Sequence, residues 1–112
     1  MTACCQVTTA VEEEFAAEEL AAALVTERLA ACAQVLGPVR SVYRWEGEVR
    51  RTREWLIVAK TTFARLPELT DRIRELHRYE VPEIVAVPIT GGDPAYLTWI
   101  QRETTPTTLE SR

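Results

Sequence analysis

Two stripes of apolar residues at helical spacing bracket a segment that alternates with the period of a strand, and this order leaves few folds open. From Glu12 to Cys32, the residues Ala17, Leu20, Ala21, Leu24, Ala31 and Cys32 recur at three- and four-residue steps, with Glu12, Glu19, Thr26 and Glu27 on the other side. Leu66, Leu69, Ile73 and Leu76 make a second stripe, with Pro67 tolerated in its first turn and His77 closing it. Between them Val39, Ser41, Tyr43 and Trp45 alternate with Arg40, Val42, Arg44 and Glu46, and a turn falls near Gly47. The return strand, Glu54 to Thr61, carries Trp55, Ile57 and Ala59 on one face and Leu56 and Val58 on the other. Both faces of this hairpin hold apolar or aromatic groups. A hairpin with one wetted face shows clean polar alternation there, so the mixture predicts double coverage, by the chain's own core and by a partner. The hairpin reads as an oligomerisation arm.

The remaining segments complete the order. Residues 3–9 form a β-prone run that leads into Glu12-Glu13-Glu14, acids suited to a helix N-terminus, with Thr8 or Thr9 available as cap. Gly37-Pro38 interrupts the chain before the hairpin, and Val81-Pro82 breaks it after the second helix. Glu83 to Thr90 reads as a strand whose Pro88 implies an edge or a bulge. Asp93 as N-cap and Pro94 at the first helical position open a third helix bearing Tyr96, Leu97, Trp99 and Ile100. The sum is an α+β chain of β-α-β-β-α-β order with an extra C-terminal helix, the ferredoxin-like sandwich. A length of 112 residues fits one domain over 1–112, with an ordered core over about 3–103 and a polar tail over 104–112.

That fold hosts many functions, and charge removes some of them. Thirteen Lys and Arg against seventeen Asp and Glu give a net charge of -4, the wrong sign for a nucleic acid partner. No apolar run approaches the roughly 20 residues of a membrane-spanning helix, and the start lacks a signal-peptide pattern, so no membrane insertion and a cytoplasmic location are expected. Three cysteines, two of them adjacent, do not make a disulfide framework; Cys4, Cys5 and Cys32 are expected as free thiols. Ser41 and Ser111 lack a nucleophile-elbow context and no phosphate-binding loop is present, so the chain is not expected to be an enzyme and no organic cofactor is expected.

Six segments then occur in one order at one set of spacings: Gln6-Val7-Thr8-Thr9-Ala10, Glu27-Arg28-Leu29-Ala30-Ala31-Cys32, Ser41-Val42-Tyr43-Arg44-Trp45-Glu46-Gly47, Lys60-Thr61-Thr62, His77-Arg78-Tyr79-Glu80-Val81-Pro82-Glu83 and Gly92-Asp93-Pro94-Ala95-Tyr96-Leu97-Thr98-Trp99. Together they resemble the CutA divalent-cation tolerance family over about residues 5–103. The resemblance implies a homotrimer similar in architecture to the PII signalling proteins, a role in the response to metal ions, and copper(II) or another divalent cation as ligand. It also implies that Tyr43, Trp45, Lys60, Tyr79, Glu80 and Glu83 lie near the inter-subunit cleft. The chain departs from the family pattern at Val11 and Arg78, where proline is usual. Of the ligands in the enterobacterial type of copper site, the Cys position falls on Thr8 and the first His position on Leu76, so only His77 carries over.

Copper(II) favours imidazole nitrogen with oxygen ligands. As the sole histidine, His77 can serve only with Glu80, Glu83, Tyr79, water or a neighbouring subunit; alternatively it ends a helix, where a partly positive ring suits the macrodipole. Cys4 and Cys5 point to opposite faces of a strand and cannot share an ion. Cys32, at the end of the first apolar stripe, reads as a structural thiol. The cleft residues have two readings as well: a small-ligand or protein-partner pocket repeated by symmetry, or an interface wedge of Tyr and Trp with a Lys60–Glu83 ion pair.

Overall fold

The computed structural model describes residues 2–106. The elements are β1 (Cys4–Val11), α1 (Glu14–Thr26), β2 (Cys32–Trp45), β3 (Glu48–Thr62), α2 (Leu66–Leu76), β4 (Val85–Pro88) and α3 (Pro94–Thr104). The strands form one antiparallel sheet in the order β2-β3-β1-β4, which with the βαββαβ connectivity is the ferredoxin-like arrangement.

Alternation divides the sheet. Cys5, Val7, Val11, Ile57 and Ala59 point to one face and pack with Ala17, Leu20, Leu24, Leu69 and Ile73 of α1 and α2. Cys4 points the other way and packs with Ala31 and Ile100, so α3 covers one end of the second face. Tyr79 covers part of the other end, where Ala10 and Glu54 are buried, and the strip between the two ends is only partly buried. Lys60 and Val58 of β3 lie between Gln6 and Thr8 of β1 on one side and Cys32 and Gln34 of β2 on the other. Leu36, Val85 and Val87, on the same face, are 47%, 51% and 48% exposed.

The hairpin of β2 and β3 runs beyond the body of the sheet. Its two-residue turn places Glu46 at φ 51° and Gly47 at φ 78°, the left-handed pair that suits the twist of a tight hairpin. This arm stretches the chain to 46 × 31 × 23 Å and its radius of gyration to 14.8 Å, against about 13 Å for a compact domain of this length. Gly37-Pro38 does not end an element as its composition implies; it lies inside β2, where the register slips between Leu36 and Val39 and the Gly37-Pro38 peptide is cis. A Cβ on Gly37, at φ 156°, would sit 2.7 Å from Trp55 Cδ1, so the indole presses against the bare backbone at the arm's root.

Several boundaries differ from the sequence reading; β1 runs to Val11, β2 starts at Cys32 and β3 at Glu48. The first helix stops at Thr26 rather than Cys32, because Arg28 adopts φ 61° and the amides of Leu29 and Ala30 both turn back to Leu24 O. Arg28 then donates to the carbonyls of Arg102 and Thr105 at the C-terminus of α3, satisfying orphan acceptors there. Cys32 therefore opens β2 instead of closing the helical stripe, and is half-buried. The helix cap is Glu13, not Thr8 or Thr9, which stay in β1. β4 is only Val85–Pro88, shorter than Glu83 to Thr90. Thr104, assigned by composition to the polar tail, is the last residue of α3 and 1% exposed, its hydroxyl bonded to Ile100 O; residues 107–112 of that tail lie outside the described residues.

Candidate functional site

The titratable groups meet where α2 runs out beside β1. Leu76 ends the helix and His77 caps it with extended backbone (φ -84°, ψ 142°), its own N–H donating to Ile73 O. The ring is held at both nitrogens. The Tyr79 N–H donates to Nδ1 at 3.1 Å, which leaves the proton on Nε2, and Nε2 donates to Ala10 O at 2.7 Å. In this tautomer the ring ties the loop after α2 to the first strand.

Tyr79 packs its ring against His77, with centroids 4.7 Å apart. Its hydroxyl donates to Glu54 Oε2 at 2.8 Å. Glu54 is only 7% exposed, a buried carboxylate at the root of the arm. Burial, and then the carboxylates of Glu54 and Glu12, push the Tyr79 phenol well above the ordinary tyrosine range. Beside this node Arg78 reaches Glu13 at 3.1 Å across the surface. Val11, Glu12, Glu13, Ala16, Leu20, Leu76, His77, Arg78 and Tyr79 line a cavity of about 100 Å³ between the start of α1 and the end of α2.

The other expected site residues are dispersed within one protomer. Tyr43 and Trp45 lie on the arm, opposite Arg50 and Glu48. Lys60 lies in the body of the sheet, ten strand residues from Arg50, a separation of about 33 Å. It is flanked by Gln6 and Cys32 on the uncovered face, and the ion pairs among the described residues include none between Lys60 and Glu83. Glu80 and Glu83 are exposed in the segment between α2 and β4. Within one protomer the arm residues Tyr43 and Trp45 therefore do not meet Lys60.

The thiols are free. Burial raises the pKa of both Cys4 and Cys5, and the Cys4 thiol faces Leu97 O of α3 at 3.7 Å while Cys5 lies in the core under α1. Cys32 Sγ approaches the Tyr96 hydroxyl at 3.6 Å, a contact that raises the phenol's pKa. Sequence reasoning passed over Glu54 and its bond to Tyr79. The available signal was an acid directly preceding Trp55, where the polar arm gives way to the apolar body of β3.

The donor set does not fit a copper(II) centre inside one protomer. No group of three His, Cys, Asp or Glu side chains placed to hold a metal ion occurs among the described residues. The one imidazole has spent both nitrogens on hydrogen bonds. No helix among the described residues is long and apolar enough to cross a membrane.

Residues 5–103 match the family model described as CutA1 divalent ion tolerance protein. The chain is 47% identical over 94 residues to the divalent-cation tolerance protein CutA of Thermus thermophilus, covering 84% of this chain and 91% of that one. It is 42% identical over 94 residues to the chloroplastic protein CutA of Arabidopsis thaliana, and there spans 84% of itself but about half, 52%, of the longer plant protein. Among solved structures, the Thermus thermophilus divalent cation tolerance protein superposes with a TM-score of 0.89 at 44% identity, covering 91% of this chain and 99% of that one. CutA from Xylella fastidiosa gives 0.90 at 35% identity, covering 93% and 100%. With nearly its whole length matched by the family model, the chain belongs to the CutA1 divalent ion tolerance family.

Proposed function

We propose that the chain serves divalent-cation tolerance as a cytoplasmic, non-catalytic homotrimer of PII-like architecture, with its functional groups in the clefts between subunits. The observation that carries this reading is the uncovered second face of the sheet. Leu36, Val85 and Val87 are about half exposed beside a partly buried Val58 and lie on the face that continues into the arm, an apolar patch of the kind that marks an interaction surface. A second copy seated there would bring Tyr43 and Trp45 of one arm toward Lys60, Tyr79, Glu80 and Glu83 of its neighbour. The three unpaired thiols, two of them buried, support a reducing compartment.

Within that cleft the exposed carboxylates Glu80 and Glu83 are the groups available to a divalent cation, copper(II) included. His77 has a structural part: it holds the loop that carries them. Calorimetry and EPR with copper(II) on the wild type, His77→Ala and Glu80→Gln/Glu83→Gln test the assignment. Binding lost in the carboxylate variant and kept in His77→Ala is the expected outcome; the reverse pattern overturns it.

The absence of a three-ligand cluster among the described residues favours a second reading, in which the cleft takes a small molecule or a protein partner instead of a metal. Thermal shifts across a metabolite panel, with none from any divalent cation, would select it.

A further inference from the structure

The register of the arm separates its side chains into two unlike faces. Arg40 is opposite Arg53, Val42 opposite Arg51, and Arg44 opposite Val49, so these six residues share one face. Ser41, Tyr43 and Trp45, opposite Thr52, Arg50 and Glu48, share the other. Acids are confined to the second face and the turn, where Arg50 pairs with Glu46 and Glu48. The first face therefore has four guanidinium groups and no carboxylate. All four arginines are exposed, and none makes an ion pair among the described residues.

Such an arrangement is unfavourable without an anion. Like charges directly opposite on neighbouring strands repel, and Arg40 and Arg53 are such a pair. The arginines are not on the uncovered face, where a second copy is proposed to sit. Alternation along β3 makes the Tyr43/Trp45 face continuous with Leu56 and Val58, the uncovered face, whereas Arg53 continues into Trp55 and Ile57 on the side of α1 and α2. The net charge of -4 averages over this segregation, since residues 12–27 alone contribute six glutamates and no base.

We infer that the arginine face of the arm binds the phosphate backbone of single-stranded nucleic acid. Its three rows follow one another every second residue, about 6.8 Å apart, close to the interval between successive phosphates of an extended polynucleotide. A lone phosphate engages one row, while a strand laid along the arm engages all three. The one aromatic ring on this side, Trp55 at the arm's root, is half-buried and already lies under the Arg53 guanidinium, 5.4 Å from the ring centroid, so the contact is to phosphate and independent of sequence.

The test is fluorescence anisotropy of the full chain with a labelled single-stranded DNA 20-mer of mixed sequence. With four phosphates neutralised, affinity falls about 50-fold between roughly 50 and 200 mM salt, and about 7-fold for Arg40→Gln/Arg51→Gln, which keeps two of the contacts. Arg74→Gln/Arg102→Gln, removing exposed arginines elsewhere, keeps the wild-type salt dependence. No binding at low salt, or equal loss in both double variants, overturns the inference. So does displacement by inorganic polyphosphate at lower phosphate concentration than by unlabelled DNA, which assigns the face to polyphosphate. Loss of the oligomer in Arg40→Gln/Arg51→Gln by light scattering likewise overturns it and assigns the face to a second copy.

Discussion

The hydroxyl of Tyr79 donates a 2.8 Å hydrogen bond to Glu54, and this one contact joins the loop after α2 to the root of the arm. Glu54 is 7% exposed. Tyr79→Phe strands a buried carboxylate, and an interaction with a charged acceptor is worth about 1.5–3 kcal/mol. Denaturant unfolding of Tyr79→Phe is expected to show a loss of that size, partly recovered by adding Glu54→Gln, which removes the stranded charge.

The same phenol gives an alkaline limit. Its folded pKa is raised above the unfolded value near 10 by burial and then by the Glu54 carboxylate, so the protonated form is the one the fold favours. A raised folded pKa means stability that is complete below about pH 10 and is lost as pH climbs beyond it. The stability–pH curve of Tyr79→Phe is expected to be flatter above pH 10 than that of the wild type; a parallel curve would remove Tyr79 as the cause.

At the arm's root, Gly37→Ala places a Cβ 2.7 Å from Trp55 Cδ1 in a backbone conformation that side chains rarely adopt. Overpacking and backbone strain each cost about 1–3 kcal/mol. Thermal unfolding should fall by several degrees, and tryptophan fluorescence should report the displaced indole.

In the proposed trimer the uncovered face is the interface. Light scattering is expected to give a mass about three times that of the 12.7 kDa chain. Val58→Asp, placing a charge between Thr8 and Gln34 on that face, is expected to give monomers with the native far-UV spectrum. A monomeric wild type at micromolar concentration would exclude the trimer.

Thiol reactivity should follow burial. Cys4 and Cys5 are 0% exposed with thiols raised in pKa, while Cys32 is half-buried at the start of β2. In the monomeric Val58→Asp variant Ellman's reagent is expected to titrate Cys32 first, and the adjacent pair only on unfolding.

Much of this was legible in local pattern. The α2 stripe of Leu69 and Ile73, the Asp93 cap that accepts from the Tyr96 amide, and the turn at Gly47 follow from spacing and turn chemistry within a few residues. The end of α1 did not. Ala31 and Cys32 continue the helical stripe in sequence, but the carbonyls of α3 that receive Arg28, and the Lys60 carbonyl that takes the Ala31 amide, come from distant parts of the chain.

The sequence by itself determined the alternation of apolar faces and, through six ordered motifs, the family; periodicity is a local property and survives without knowledge of neighbours. Only the tertiary structure decided what His77 does. A histidine at the end of a helix is open to metal or to hydrogen bonds until its surroundings are known, and here Ala10 of β1 and the amide of Tyr79 take both nitrogens. The same holds for the arm. Four arginines in a hairpin are a count until strand register places them on one face, because a shift of one residue would have set them against the acids instead.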